Sequence, residues 1–177
     1  MIYIETPRLI MRSWKDEDIK EFRRLTSDKI VMRYFPKTLS DKEADAFLEA
    51  IKEELTTRTY GLYAVEVKEN GEFIGFIGFH KATFDADFTP CIEIGWRLKK
   101  EAWGHGYATE GAKACIKYGF EQLGFKEIYS FTAEINKPSE NVMKKLEMNY
   151  VKNFNHPKVE SISPLFRHVL YSIKIKD

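Results

Sequence analysis

The spacing of apolar residues along the chain alternates between a period of two, typical of strands, and a period near 3.6, typical of helices. Seven segments favour β-strands: Ile2–Arg12, Tyr60–Lys68, Glu72–Ala82, Cys91–Leu98, Ile128–Ala133, the residues near Tyr150, and Leu165–Ile175. Four segments favour helices: one carrying Ile19, Phe22 and Leu25, one beginning at the capping-box pair Ser40 and Glu43, one between Gly106 and Gly124, and Ser139–Leu146. Runs of strands mixed with strand–helix units predict an α/β domain with three layers and a mixed sheet.

Length and charge narrow the choice of fold and partner. The 177 residues, 44% of them hydrophobic, suffice for one compact domain spanning 1–177. A formal net charge of +1 gives no electrostatic reason to expect nucleic acid or an anionic membrane as a partner. No apolar run reaches the ~18–20 residues of a membrane span, and the N-terminus lacks the apolar stretch of a signal peptide. We therefore expect a cytoplasmic protein.

Cysteine and histidine positions give no indication of a disulfide or a metal site. Cys91 and Cys115 lie in apolar surroundings without CxxC spacing, and the four histidines are scattered along the chain. We expect two buried free thiols and no bound metal.

The most informative segment is a glycine-containing turn that leads from a strand into a helix. It spans Trp103–Ala108 and reads WGHGYA. The first N–H groups of a helix are unpaired and carry partial positive charge, so they bind anions such as a diphosphate. Gly104 and Gly106 remove side chains that would keep an anion away, and Thr109 adds a hydroxyl donor. Taken alone, such a turn often only joins a strand to a helix.

This segment resembles motif A of the Gcn5-related N-acetyltransferases (GNAT), written (Gln/Arg)-x-x-Gly-x-(Gly/Ala), with Gly106 and Ala108 at the last two positions. Trp103 stands where Gln or Arg is usual, and Gly104–Glu110 is similar to the Trp-Gly-x-Gly-Tyr-Ala-Thr-Glu variant of the RimJ/RimL-type ribosomal-protein N-terminal acetyltransferases. Three further segments resemble that branch in the same order: Thr6–Arg12, Val31–Tyr34, and Asn136–Ser139 followed by Val142 and Lys145.

The resemblance implies a mostly antiparallel sheet of about seven strands, splayed between the fourth and fifth, here Cys91–Leu98 and Ile128–Ala133. Acetyl-CoA is then the co-substrate and lies in the wedge. The implied cofactor-binding residues are Trp96, Arg97, Leu98, Trp103, Gly104, His105, Gly106, Tyr107, Ala108, Thr109, Asn136 and Ser139.

An amine must lose a proton before it attacks a thioester, because a lysine-like amine with a pKa of about 10.4 is protonated at neutral pH. Glu93, on the strand expected beside the thioester, is the first candidate base, and pairing with Arg97 is its alternative role. Glu134 is the second candidate, with a surface position at the strand end as its alternative. Many family members carry a tyrosine acid where this chain has Met143, so Ser139 is the candidate to hydrogen-bond the CoA sulfur. Its alternative role is to cap the last helix.

The acceptor and the assembly stay open at this stage. Trp14, Tyr34, Phe35 and Phe84 are candidates to wall the acceptor pocket, or else belong to the core. The acceptor is a primary amine, either a peptide N-terminus or a small molecule, and the chain is a monomer or a homodimer. A catalytically silent acyl-CoA-binding module is the alternative function. A mononucleotide enzyme is disfavoured because GxGxxG and GxxxxGK[ST] are both absent.

Overall fold

The computed structural model describes residues 1–175 and contains one mixed sheet with helices on both faces. The strands are β1 (Ile2–Glu5), β2 (Leu9–Arg12), β3 (Leu62–Val67), β4 (Phe73–Ala82), β5 (Cys91–Leu98), β6 (Glu127–Ala133), β7 (Asn149–Asn155) and β8 (Arg167–Lys174). The helices are α1 (Asp18–Ser27), α2 (Asp41–Arg58), α3 (Tyr107–Glu121) and α4 (Lys137–Lys145). Lys176 and Asp177, at the end of the predicted domain, lie outside the described residues.

The sheet order is β1-β2-β3-β4-β5-β6-β8-β7, and its neighbours are antiparallel except for β5 and β6. The predicted mixed, mostly antiparallel sheet and the parallel pairing of Cys91–Leu98 with Ile128–Ala133 are therefore confirmed.

The predicted strand Ile2–Arg12 is two strands, which makes eight strands rather than seven. Thr6 N–H bonds the Leu9 carbonyl at 3.0 Å and closes a turn between β1 and β2. The Thr6 hydroxyl and the Arg8 N–H also donate to one carboxylate oxygen of Glu110, at 2.7 and 3.0 Å. The turn is thus held by a residue on α3, about one hundred positions away, which the local pattern cannot reveal.

Two apolar clusters lie on opposite faces of the sheet. Neighbouring residues of β4 alternate between them: Ile77 packs in the cluster that includes α3, and Phe76 packs with α1 and α2. The capping box predicted at the start of α2 is present, since Ser40 accepts from Glu43 N–H and the Glu43 carboxylate accepts from Ser40 N–H. The two predicted free, buried thiols, Cys91 and Cys115, are confirmed.

One buried ion cluster joins the sheet to α1. Arg12 donates to Asp18 at 2.8 and 3.0 Å and to Glu66 at 2.8 Å. The single charge of this buried cation is therefore matched by two carboxylates with good hydrogen-bond geometry, which is what makes burial of charge tolerable. No helix within residues 1–175 is long and apolar enough to cross a membrane.

Close packing of β4 against β5 leads to the first testable prediction. Gly75 has φ +136°, and a Cβ added there would lie 2.1 Å from the Arg97 carbonyl oxygen. We expect Gly75→Ala to lower the free energy of unfolding by about 3 kcal/mol or more, since backbone strain and overpacking both oppose it. Gly95→Ala is the matched control on the neighbouring strand, because a Cβ there meets no atom within 4 Å. Urea denaturation measures both, and equal midpoints for the two variants would contradict the assignment.

Candidate active site

The main cleft begins where β5 and β6 stop pairing. Their ladder consists of one pair, Glu93 with Tyr129, followed by a hydrogen bond from Ser130 Oγ to the Ile94 carbonyl at 3.0 Å. On its other side β5 pairs with β4 along its whole length, from Cys91 to Leu98. The C-terminal half of β5 therefore presents an edge that has no strand partner among the described residues. A cleft of about 910 Å³ lies along this edge.

A helix N-terminus closes one end of the cleft. Gly106, at φ +78°, precedes α3, and no side chain of the described residues caps the helix there. The first backbone N–H groups of α3 are thus free to meet an anion. Gly104, at φ +75°, has no atom within 4 Å of a Cβ built on it, so this turn is open. Every predicted turn residue from Trp103 to Thr109 lines the cleft except His105, which is exposed and lies 2.8 Å from the Trp103 carbonyl through its Nδ1.

Contacts at both ends hold this turn in place. Glu110, in the first turn of α3, accepts from Arg8 Nε at 2.7 Å, and the Arg8 guanidinium stacks on the Tyr107 ring at 4.7 Å. Trp103 donates from Nε1 to the Leu98 carbonyl at 2.9 Å, which ties the turn to the end of β5. The Arg33 guanidinium lies over the Trp103 ring at 5.0 Å and adds a cation beside the turn.

The start of α4 lies across the cleft from β5. Asn136 caps this helix by accepting from Ser139 N–H at 3.3 Å and donates from Nδ2 to Thr132 Oγ1 at 2.9 Å. The alternative role of Ser139 as the cap is therefore wrong, and α4 begins at Lys137, two residues before the predicted start. Both Asn136 and Ser139 line the cleft, whereas Met143 is fully buried in the core.

Glu93 lies in the cleft beside a second carboxylate and a histidine. Burial raises the pKa of Glu93 to about 7. Its cross-strand neighbour is His80, whose Nδ1 lies 2.6 Å from Oε2 of Glu54 on α2. That hydrogen bond raises the pKa of His80. Three titratable side chains from β4, β5 and α2 therefore meet in the cleft, with Glu93 in the protonation range of a base that works at neutral pH.

Glu134, the second candidate base, does not line the cleft. Its Oε1 accepts from Asn153 Nδ2 at 2.8 Å, and its N–H bonds the Arg167 carbonyl at 2.8 Å. The residue joins the end of β6 to β7 and β8.

Arg97 lines the cleft without pairing with Glu93. Its guanidinium lies 3.9 Å from the Phe35 ring centroid, 5.3 Å from that of Phe76 and 5.8 Å from that of Phe47. No carboxylate among residues 1–175 is within salt-bridge distance, and the buried Nε has no hydrogen-bond partner. Burial lowers the pKa of Arg97 to about 10, so the side chain is still a cation at neutral pH.

The four predicted acceptor-wall residues divide evenly. Tyr34 and Phe35 line the cleft. Trp14 packs against the core instead, edge-on against Phe22, and donates from Nε1 to the Leu62 carbonyl at 2.8 Å. Phe84 lies in an aromatic cluster with Phe131 and does not line the cleft.

Glu54, His80 and Phe47 line the cleft but were not singled out in the sequence. Phe47 and Glu54 belong to the apolar and polar repeat of an ordinary helix, and His80 is a single histidine in a strand. Their shared location depends on how α2 lies over β4, for which no local signal exists. Within the described residues, no group of three or more His, Cys, Asp or Glu side chains could hold a metal ion.

Comparison with known proteins finds a family and solved structures that share this architecture. The family model described as the acetyltransferase (GNAT) domain matches residues 8–149. An uncharacterized N-acetyltransferase of Bacillus subtilis (strain 168), YnaD, is 30% identical over 148 residues, which cover 83% of this chain and 82% of that protein. The crystal structure of a GNAT-family acetyltransferase from Bacillus anthracis has a TM-score of 0.81 at 26% identity, over 98% of each chain. RimL, a ribosomal L7/L12 alpha-N-protein acetyltransferase solved with coenzyme A, shares the fold with a TM-score of 0.81 at 14% identity, over 99% of this chain and 98% of that one.

The raised pKa of Glu93 makes a prediction about stability. Above its ordinary pKa of 4.5 the unfolded chain releases a proton that folded Glu93 retains up to a pH of about 7, so Glu93 costs stability as the pH rises through this window. We expect Glu93→Gln to gain stability relative to wild type between those two pH values, by at most about 3 kcal/mol, and no further at higher pH. Urea denaturation across the range measures the difference.

Glu66→Gln is a control of opposite sign. The hydrogen bond from Arg12 lowers the pKa of Glu66, so the wild-type ion pair forms as the pH rises through the acid range. The free energy of unfolding of wild type then rises relative to that of Glu66→Gln. A Glu93→Gln difference that is constant with pH would contradict the raised pKa.

Proposed function

This chain belongs to the GNAT acetyltransferase family, and on that premise we propose that it acetylates a primary amine with Glu93 as the base that removes the amine proton. Family membership makes the chain an acetyl-CoA-dependent acyltransferase. The observation that carries the proposal is that Glu93, with its pKa raised to about 7, lies on the strand whose free edge runs through the cleft toward the N-terminus of α3.

The residues of the cleft fit coenzyme A. The uncapped N–H groups of α3, opened by Gly104 and Gly106, suit a diphosphate, and Arg33 supplies a cation beside them. The free edge of β5 around Trp96–Leu98 suits the pantetheine amides, which hydrogen-bond like a strand. When bound, acetyl-CoA supplies a thioester whose acyl group a neutral amine attacks.

The chain's own groups then handle protons. Glu93 accepts the amine proton, and the neighbouring His80–Glu54 pair offers a path for it toward solvent, since the His80 side chain is about half exposed. Ser139 is the proposed hydrogen-bond donor toward the sulfur, because its hydroxyl lines the cleft and bonds no other described residue. The acceptor is proposed to be a peptide α-amine or a small-molecule amine.

The role of Glu93 is tested by its amide variant. We expect wild type to release free thiol from acetyl-CoA in the presence of suitable amines, with kcat/KM rising with pH through about 7 as Glu93 ionises. Glu93→Gln should lower kcat about 10²–10³-fold and remove that dependence, while acetyl-CoA still binds. Glu134→Gln is the comparison variant. A loss of kcat there, with Glu93→Gln active, transfers the role to Glu134, and saturable binding without turnover for any amine supports a silent acyl-CoA-binding module.

The phosphate-binding turn has its own test. We expect Gly106→Trp to weaken acetyl-CoA binding about 100-fold or more, because the indole fills the space in front of the α3 N–H groups. Gly124→Trp is a matched control, since Gly124 has a similar φ of +71° and open surroundings but follows α3 at its other end. Calorimetry with both variants measures the effect, and equal affinities would rule out the turn as the anchor.

A further inference from the structure

One face of β5 carries two side chains of opposite charge. Glu93, Gly95 and Arg97 alternate with Ile94 and Leu98, which are buried in the core. The first three therefore share the other face, and all three line the cleft. A Cβ built on Gly95 meets nothing within 4 Å, so the floor between the two charged side chains is open.

The elements that pack against this face of β5 also place titratable side chains near Glu93 and aromatic side chains near Arg97. His80 pairs with Glu93 across the β4–β5 ladder, and Phe76 pairs with Arg97. On α2, Glu54 contacts His80 and Phe47 lies near the Arg97 guanidinium. The cleft thus has one end with the titratable side chains of Glu54, His80 and Glu93, and an aromatic end with one cation.

The two ends are separated by a distance that the secondary structure sets. Four residues along a strand span about 13 Å between Glu93 and Arg97 Cα atoms. Seven residues along a helix span about 10 Å between Phe47 and Glu54. Even with both side chains leaning inward, a molecule that touches both ends must be several bonds long.

Arg97 is partly buried and differs from the buried Arg12 in having no anionic partner among residues 1–175. Arg12 is matched by Asp18 and Glu66, whereas Arg97 is surrounded by Phe35, Phe47 and Phe76 and keeps an unsatisfied Nε. A buried, unpaired cation is costly, and its planar guanidinium is suited to a carboxylate. The Phe35 ring lies over one face of the guanidinium, so a planar carboxylate has to approach within the guanidinium plane.

We propose that the acceptor is an amino acid-like molecule whose primary amine lies at Glu93 and whose carboxylate, several bonds away, is bound by Arg97. This inference rests on the proposed acetyl transfer. A single arginine balances the one charge of a carboxylate, whereas a phosphate group carries about −1.5 to −2 at pH 7 and would stay partly unbalanced. The diphosphate of coenzyme A has a separate site, because the N-terminus of α3 lies on the opposite face of the sheet from Phe47 and Phe76.

The test uses pairs of acceptors that differ only in the negative charge. The probes are ω-amino acids from glycine to 6-aminohexanoate, each beside its primary amide, with acetyl-CoA at saturation. For the longer members we expect wild type to show kcat/KM about 10- to 100-fold higher for the acid than for the amide. Arg97→Gln should lower kcat/KM for the acid until the ratio of acid to amide is close to one. Arg97→Lys retains the positive charge but lacks the paired N–H groups of the guanidinium, so it should keep part of the preference for the acid over the amide.

Arg24→Gln is the matched control, since it makes the same chemical change at an exposed i,i+3 pair on α1 and should keep the full preference. Calorimetry of 6-aminohexanoate and 6-aminohexanamide, added to protein saturated with CoA, gives a readout that does not need turnover. Turnover of amines without an acid preference, or a preference that survives Arg97→Gln, overturns the inference and leaves acetyl transfer standing. A rise in KM for acetyl-CoA in Arg97→Gln also overturns it by assigning Arg97 to the cofactor.

The two proposals fail in different ways. If no amine is acetylated but the acid binds more tightly than the amide and only when Arg97 is present, the anion site stands and the acetyl-transfer proposal fails. If neither turnover nor an Arg97-dependent binding preference is found, both are overturned.

Discussion

The unpaired edge of β5 is the feature on which the rest of this structure depends. Backbone N–H and C=O groups inside a protein require partners, and β5 receives them from β4 along its whole length but from β6 at one ladder pair only. Ser130 satisfies the Ile94 carbonyl just beyond that pair with its hydroxyl, which ends the contact between the two strands. Trp103 Nε1 satisfies the Leu98 carbonyl at the far end, and the groups in between are left to water or to a ligand that hydrogen-bonds as a strand does. A cleft at this position is therefore built into the sheet and does not require any loop to move.

Because β5 is a strand, its side chains alternate between two faces, and each face contacts a different part of the fold. The face with Ile94 and Leu98 packs on the α3 side and brings the helix N-terminus to the end of the free edge. The face with Glu93 and Arg97 lies under α2 and the segment that follows α1, where the charged and aromatic side chains collect. Under the proposed function, cofactor and acceptor approach β5 from opposite sides, which is the arrangement that a direct transfer between them requires.

Much of the fold could be predicted from local patterns, because capping boxes, strand alternation and glycine turns act over a few residues. Ser40 and Glu43 formed the expected capping box, and the turn at Gly104 and Gly106 opens α3 as its residues indicated. Contacts between distant segments were not predictable. Glu110, on α3, holds the turn that divides the first predicted strand into β1 and β2. Trp14 is an aromatic residue of a type that often lines pockets, but its indole N–H donates to the Leu62 carbonyl instead. The Glu54–His80 contact likewise depends on the placement of α2.

Arg12, which is buried, and Arg97, which is partly buried, show how the partner of a charge separates structural from functional groups. Arg12 joins β2 to α1 through Asp18 and to β3 through Glu66, so its cost is offset within the folded chain. Arg97 has aromatic neighbours that attract its charge only weakly. Burial lowers its pKa to about 10, and no carboxylate of the described residues offsets that effect. A sequence selected for stability alone would place an apolar side chain among these phenylalanines. A cation there is explained if an anion from a ligand completes the pair. The open floor at Gly95 gives room for the rest of that ligand to extend from Arg97 to Glu93.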